Sequence, residues 1–303
     1  MAAPAGVVYA VLADAANLPL YLSPSIHVER LQSDGERERL RMWSLVGGEL
    51  KSWTSWRHLD PVRRRIEVRQ EPPASPLDSM GGVFGIRGEG PHDTELELLY
   101  GFSVTDDMPE DLAWVERAAD LTARAQLADL KSCAERWTRL DELMLSFEDS
   151  VRVNGPAELV YDFLYRAGDW PELVPHVTSV DLAEDTPGVQ RMSLRTLTGH
   201  GSHTTESVRI CFPHAGRIIF KQTAPPALLA AHTGEWLVVG DERGVSVSAK
   251  QSVVLREENI TAVLGEGADL AGARRHVRRE LGQDCLSLLA LAKQHAESAV
   301  RML

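Results

Sequence analysis

The run Pro4-Ala5-Gly6-Val7-Val8-Tyr9 returns 152 residues later as Pro156-Ala157-Glu158-Leu159-Val160-Tyr161, and this echo decides how the chain is read. Working outward at the same offset, Leu18-Pro19 answers to Trp170-Pro171. Arg65-Ile66-Glu67-Val68-Arg69-Gln70 answers to Arg217-Ile218-Ile219-Phe220-Lys221-Gln222. Gly82 meets Gly234, and Pro72-Pro73 falls beside Pro225-Pro226 one residue out of register. Such a repeat within 303 residues implies two tandem domains, expected at 1–143 and 144–303, each long enough to bury its own core.

Each copy has the same order of elements. A short helix comes first, over 5–12 and 158–164, behind a proline suited to a helix start. Strand alternation follows over 25–32, 38–46, 50–59, 65–71, 81–87 and 95–104 in copy one. Copy two repeats it over 178–182, 190–197, 202–212, 217–222, 234–239 and 245–255. Long amphipathic helices close the copies over 109–140 and 270–299, the first with a stripe of Leu112, Val115, Ala119, Thr122, Gln126, Leu127 and Leu130. Copy two also has a good first strand over 146–154. Copy one begins almost at its helix, so either it lacks that strand or the chain is truncated. A curved antiparallel sheet around one long C-terminal helix is an α+β helix-grip domain, here in tandem. A bent sheet leaves volume beneath the helix, so each copy is expected to hold a largely apolar interior pocket with a few placed polar groups.

The totals exclude several classes. A net charge of −12 argues against nucleic acid and anionic membranes as partners. The cysteines Cys133, Cys211 and Cys285 are scattered and odd in number, as expected of reduced core thiols in the cytoplasm. No apolar run reaches the roughly 18 residues of a membrane span, and no signal segment follows Met1. No Ser-His-Asp elbow, phosphate-binding glycine loop or dinucleotide fingerprint is present, so neither hydrolase nor oxidoreductase chemistry finds support, and no cofactor is expected.

Three stretches carry a resemblance. Pro24-Ser25-Ile26-His27-Val28-Glu29, then Gly48-Glu49-Leu50-Lys51-Ser52-Trp53-Thr54-Ser55-Trp56-Arg57, then Arg65 through Glu71 resemble the di-domain aromatase/cyclases of bacterial type II polyketide synthases, within the START/Bet v1-like superfamily. The resemblance covers nearly the whole chain, and Lys-Ser-Trp-Thr-Ser is its most specific part. It implies first-ring closure between C7 and C12 of a carrier-protein-bound poly-β-ketone, or dehydrative aromatisation of that ring, in antibiotic biosynthesis. It also implies as partners an acyl carrier protein, a ketosynthase with its chain-length factor, and in some pathways a ketoreductase.

That chemistry develops negative charge on oxygen, so a positioned cation or hydrogen-bond donor lowers its barrier. Arg69 is the first candidate, matching a strand arginine of monodomain relatives, with Lys221 keeping the charge in copy two. Simple alternation nevertheless puts Arg69 outside and Gln70 and Gln222 inside, unless a bulge before the prolines reverses the parity. Trp53 and Ser55 share a strand face, as an aromatic platform beside a hydroxyl or as ordinary core. Ser44 and Trp43 face opposite ways, so only one of them lines the cavity. Met80 and Trp236 are candidate walls. In copy two, His200, His203 and Glu206 fall on the strand matching 51–54, and His232 stands where copy one has Met80. A histidine suits proton transfer during dehydration. Surface histidines without a role are the plainer reading, and a metal site lacks third and fourth ligands at credible spacing.

Arg274, Arg275, Arg278 and Arg279 recur at i, i+1, i+4 and i+5 on one helical side, either docking an acidic carrier protein and its phosphate or forming a solvated face. A non-catalytic START-like ligand carrier or polyketide chaperone competes with the enzyme reading, as does an interaction module with a vestigial pocket.

Overall fold

In the computed structural model the described residues are 1–71, 76–105, 108–198, 201–242 and 244–301. Pro72, Pro73 and His200 lie outside them. The chain forms two compact units, Met1–Leu140 and Asp141–Leu303.

The first unit opens with α1 (Ala5–Ala13) and α2 (Leu18–Tyr21). A meander follows: β1 (Ser25–Ser33), β2 (Arg37–Val46), β3 (Glu49–Asp60), β4 (Arg65–Glu71), β5 (Leu77–Gly88) and β6 (Thr94–Val104). These six strands pair in chain order, each antiparallel to the next. The long helix α3 (Pro109–Glu135) follows, then the single turn α4 (Leu140–Leu143). Its buried face is Val115, Ala118, Ala119, Leu130, Cys133 and Ala134; Leu112, expected in that stripe, is exposed.

The second unit begins with β7 (Met144–Val153), then α5 (Ala157–Tyr165) and α6 (Trp170–Leu173). Its remaining strands are β8 (Val177–Thr186), β9 (Val189–Thr198), β10 (Gly201–Phe212), β11 (Arg217–Ala224), β12 (Leu229–Asp241) and β13 (Gly244–Leu255), followed by α7 (Ile260–Leu264) and α8 (Leu270–Arg301). The sheet has seven strands because β7 adds beside β13, giving the order β7-β13-β12-β11-β10-β9-β8. Among the described residues the first sheet has no strand in that position, and β6 is its edge. The chain is thus two tandem helix-grip domains.

In each unit the densest core lies where the short helices, the sheet and the end of the long helix meet. In the first, Val8, Val11 and Leu12 of α1 pack with Leu40, Ile66 and Ile86 of the sheet and Leu130 and Cys133 of α3. In the second, Val160, Phe163 and Leu164 of α5 pack with Cys211, Ile218 and Val247 and with Leu289, Ala292 and Ala296 of α8. Burial at this level is worth about 1.5–3 kcal/mol per large apolar side chain, which fixes the register of both sheets.

Candidate functional site

The core identifies which sheet face looks at the helix. Ile66 and Val68 of β4 pack into it, so alternation puts Gln70 on the same side and Arg69 on the other. The pairing Ser55↔Gln70, Trp56↔Arg69, Arg57↔Val68 runs without a shift, so no bulge reverses the parity. Arg69 is exposed beside Trp56 on the face away from the helix, which removes it from the pocket.

The helix side of β3 carries Trp53, Ser55 and Arg57, and that of β2 carries Glu38, Leu40 and Met42. Arg57 is 4% exposed and donates from Nη2 to the Leu12 carbonyl at the end of α1, at 2.6 Å. Its Nε lies 3.3 Å from Glu38 Oε1, and Arg30 holds the other Glu38 oxygen at 3.0 Å. Burial pushes the Arg57 guanidinium below its ordinary value, with Glu38 opposing the shift. A guanidinium nevertheless keeps its charge at neutral pH in protein interiors. Ser55 is fully buried and its Oγ has no partner. Towards the other end of this face Trp53, Gln70, Met80 and Phe84 are only half-buried, and Tyr100 is 38% exposed. One face therefore runs from a sealed end at α1 to an open end with aromatic and thioether walls. Ser44 does not line the opening, since its hydroxyl donates to the Pro24 carbonyl at 2.8 Å.

The second unit repeats the buried arginine at the offset of the repeat. Arg209 is wholly buried, donates to the Leu164 and Tyr165 carbonyls at the end of α5, and lies over the Trp170 and Trp236 rings at 5.5 and 5.7 Å. Gln190 stands where the first unit has Glu38, and donates to Glu184 at 2.8 Å. Ser207 matches Ser55 and is buried on the same face. Lys221 is on β11 between Phe220 and Gln222. Phe220 packs 4.8 Å from the Trp236 ring on the helix side, so Lys221 is buried on the opposite face, which removes it from the pocket. His203 and Glu206 are exposed near the open end of β10, Glu206 on the face away from the helix, so neither is held in an interior site. His232, by contrast, is 3% exposed on the helix side. It meets Phe220 edge-on at 5.3 Å, and its Nε2 lies 2.7 Å from Gln251 Oε1. Burial lowers its pKa to about 4. Gln222 is half-buried on the same face, with an unpartnered Oε1.

The four arginines of α8 do share one side, lining with Leu145 and Leu286 a surface groove of about 460 Å³. They are not four free cations. Arg274 donates to the Glu142 and Met144 carbonyls, and Arg278 pairs with Asp149 at 2.7 Å over the Phe147 ring. Arg279 pairs with Glu280 at 3.0 Å. Two of the four tie α8 to β7, because a helix lying beside a strand end finds backbone carbonyls and a carboxylate there. Among the described residues no three His, Cys, Asp or Glu side chains come together as metal ligands. The three cysteines are free and buried, and burial pushes each thiol up to about 11.

Arg57 and Arg209, the most deeply buried cations at either site, were not among the residues expected from sequence. The signal existed: they stand 152 apart in matching strands, two residues beyond Ser55 and Ser207 on the same face.

The family model for "Polyketide cyclase / dehydrase and lipid transport" matches residues 153–270. The granaticin polyketide synthase bifunctional cyclase/dehydratase of Streptomyces violaceoruber is 36% identical over 301 residues, covering 99% of this chain and 93% of its own. The actinorhodin polyketide synthase bifunctional cyclase/dehydratase of Streptomyces coelicolor is 37% identical over 98% of this chain and 93% of its own. The crystal structure of BexL, the di-domain ARO/CYC of the BE-7585A biosynthetic pathway, superposes with a TM-score of 0.86 at 43% identity, covering 98% of this chain and 96% of that one. With its two helix-grip units and its inward-facing polar groups, the chain belongs to the family of polyketide synthase bifunctional cyclase/dehydratases.

Proposed function

We propose that this cyclase/dehydratase closes the first ring of a carrier-protein-bound poly-β-ketone, between C7 and C12, against the open helix side of its first domain. One observation carries the reading. The same face of the first sheet is sealed at the α1 end, where Leu40, Ile66 and Ile86 are at most 4% exposed, and half-open from Trp53 to Tyr100, with Ser55, Arg57 and Gln70 at the junction. A flat, flexible chain of ketones bent against Trp53 and Phe84 would have its carbonyl oxygens near these groups.

Ring closure forms a carbon–carbon bond between an enolate carbon and a ketone carbon, and the ketone oxygen takes up the negative charge. The Ser55 hydroxyl and the Gln70 amide are donors for that oxygen. The fixed charge of Arg57, held by Glu38 and the Leu12 carbonyl, adds a positive field in a region shielded from water. Loss of the resulting hydroxyl as water then aromatises the ring. The α8 groove, with Arg275 and Arg279 as its less committed cations, is where an acidic carrier protein would dock. Three buried free thiols accord with work in the reducing cytoplasm alongside the ketosynthase and chain-length factor.

The test is reconstitution with ketosynthase, chain-length factor and carrier protein, reading the ratio of correctly cyclised to shunt products. Gln70→Leu and Ser55→Ala are expected to lower that ratio, together by on the order of 10²-fold. The outward Arg69→Ala is expected to leave it unchanged. A ratio unmoved by both pocket variants sinks the assignment.

A further inference from the structure

The second domain holds a pair of buried acceptors that no group among the described residues answers. His232 Nε2 faces Gln251 Oε1 at 2.7 Å, and Gln251 Nε2 donates to the Leu281 carbonyl of α8 at 3.3 Å. With its NH2 turned to Leu281, Gln251 can only accept from His232. The imidazole proton therefore sits on Nε2, and Nδ1 keeps a bare lone pair. That Nδ1 is buried and has no partner, and neither has Gln222 Oε1. The two residues face the helix on adjacent strands, one step beyond the last paired positions Lys221↔Thr233. Other buried polar atoms of this domain also lack a hydrogen bond, Tyr161 Oη, Arg209 Nε and Asp149 Oδ2, but only here do two bare acceptors stand on neighbouring strands of the helix side, which is costly unless a donor completes them.

We infer that the second domain carries a subsite for a hydroxyl donor, formed by His232 Nδ1 and Gln222 Oε1, and that its ligand is a hydroxylated, ring-closed compound. The inference rests on the polyketide reading above. An open poly-β-ketone offers carbonyl oxygens, which are acceptors, and enol hydroxyls already closed on the neighbouring carbonyl, and these leave the bare His232 Nδ1 unpaired. Ring closure creates a tertiary hydroxyl, and aromatisation creates phenols, and these are donors. The first domain lacks the subsite: Met80 stands in the place of His232, and a thioether is at most a weak acceptor. The second domain thus binds what the first one makes. His232 acts there as a positioning group, with Phe220 edge-on beside it and Trp236 next in the stack as a wall for a flat ring.

The probes are 2-naphthol and its methyl ether, which share shape and differ in the single donor. Titrated into the full chain with ¹⁵N-labelled histidines, 2-naphthol is expected to bind at least about fivefold more tightly than the ether. It should also move the unprotonated Nδ1 resonance of His232 upfield as that atom accepts a hydrogen bond. His232→Met, which installs the residue of the first domain, and separately Gln222→Leu, are each expected to narrow the preference. Equal affinity for the two probes, a bound naphthol that leaves Nδ1 unmoved, or no response from either probe overturns the subsite. The Nδ1 measurement needs no variant, so a misfolded substitution does not decide the matter. The product ratio of the reconstituted synthase, read with first-domain variants, fails or succeeds independently of it.

Discussion

The two domains anchor their short helices through the same joint and fill their helix sides differently. In both, an inward arginine on the third strand of the meander takes the carbonyl at the end of the short helix, Arg57 with Leu12 and Arg209 with Leu164. Past that anchor they diverge. The first domain has Val68, Met80 and Tyr100 where the second has Phe220, His232 and Gln251, the last pair matched by their pairing to Gly82 and Gly234. The first set is half-buried or exposed, the second nearly sealed. The seventh strand explains part of this. β7 gives α8 Asp149 for Arg278 and the Arg152 carbonyl for Lys293, at 2.7 Å each, and Gln251 adds its bond to Leu281. With no counterpart of β7 among the described residues, α3 is tied elsewhere, Asp129 accepting from Ser23 and Glu135 from the Ala2 amide. Duplication of a helix-grip domain has kept the joint that sets the fold and varied the wall that meets the ligand.

The anchor itself differs in charge, and this gives the largest expected effect. Arg57 is paired with a buried carboxylate, whereas Arg209 faces the neutral Gln190. Arg57→Met leaves the buried Glu38 with only the half-exposed Arg30 as its cation and should cost about 3–5 kcal/mol. Arg209→Met removes hydrogen bonds to two carbonyls and should cost about 1–3 kcal/mol. Hydrogen exchange of the β2–β3 and β9–β10 amides separates the two losses. The double change Arg57→Met with Glu38→Met should recover most of the first loss, because it removes the orphaned charge as well. If the double variant is no better than the single one, the anchor works through packing and the comparison collapses.

His232 predicts a difference in acid sensitivity. Its pKa is about 4 in the fold against 6.5 for the free side chain, because burial opposes the charged form. Between those values the unfolded chain binds more protons than the native one, so stability rises with pH. The contribution is complete above about pH 6.5 and is lost as the pH falls towards 4. From pH 7.5 to pH 5 the second domain should lose about 2 kcal/mol through this residue. Met80 gives the first domain no equivalent term. Urea midpoints of wild type and His232→Met, followed through second-domain amides, check this: the variant should show the shallower pH dependence, and identical slopes would refute it.

Much of this architecture was legible in the sequence because periodicity and repetition are local signals. The range 65–71 needed no revision, since Ile66 and Val68 alternate cleanly with charged neighbours. The same alternation puts Gln70 inside whereas resemblance to other chains favours Arg69, and the unbroken register of β4 decides for alternation. Arg57 is hard to read in the sequence for the opposite reason. A buried arginine looks like a surface arginine until its partners are known, and Glu38 and the Leu12 carbonyl are distant in sequence. Arg274 and Arg278 read as a free basic stripe because helical spacing shows which residues share a side, without showing that β7 lies beside that side. His232 was visible as a substitution for Met80, but the orientation that frees its Nδ1 depends on Gln251 and Leu281.

The smallest effect sharpens the comparison at a single methyl group. Gly82 and Gly234 occupy the same position on the helix side of the fifth strand of each meander. A Cβ on Gly234 would stand 2.4 Å from two ring carbons of Phe220, and that ring is held by Trp236 and His232 on its other sides. A Cβ on Gly82 would meet the Leu99 carbonyl at 3.0 Å and the Tyr100 Cβ at 3.3 Å, both on the edge strand β6, which can move outward. Gly234→Ala should therefore cost about 2–3 kcal/mol and Gly82→Ala about 1 kcal/mol, in thermal or urea unfolding. Phe220→Leu removes the obstructing ring, so in that background Gly234→Ala should fall to the cost of Gly82→Ala. Were the two glycines equally intolerant from the start, the first domain would be as tightly packed as the second, and its open face could not be the place where a polyketide bends.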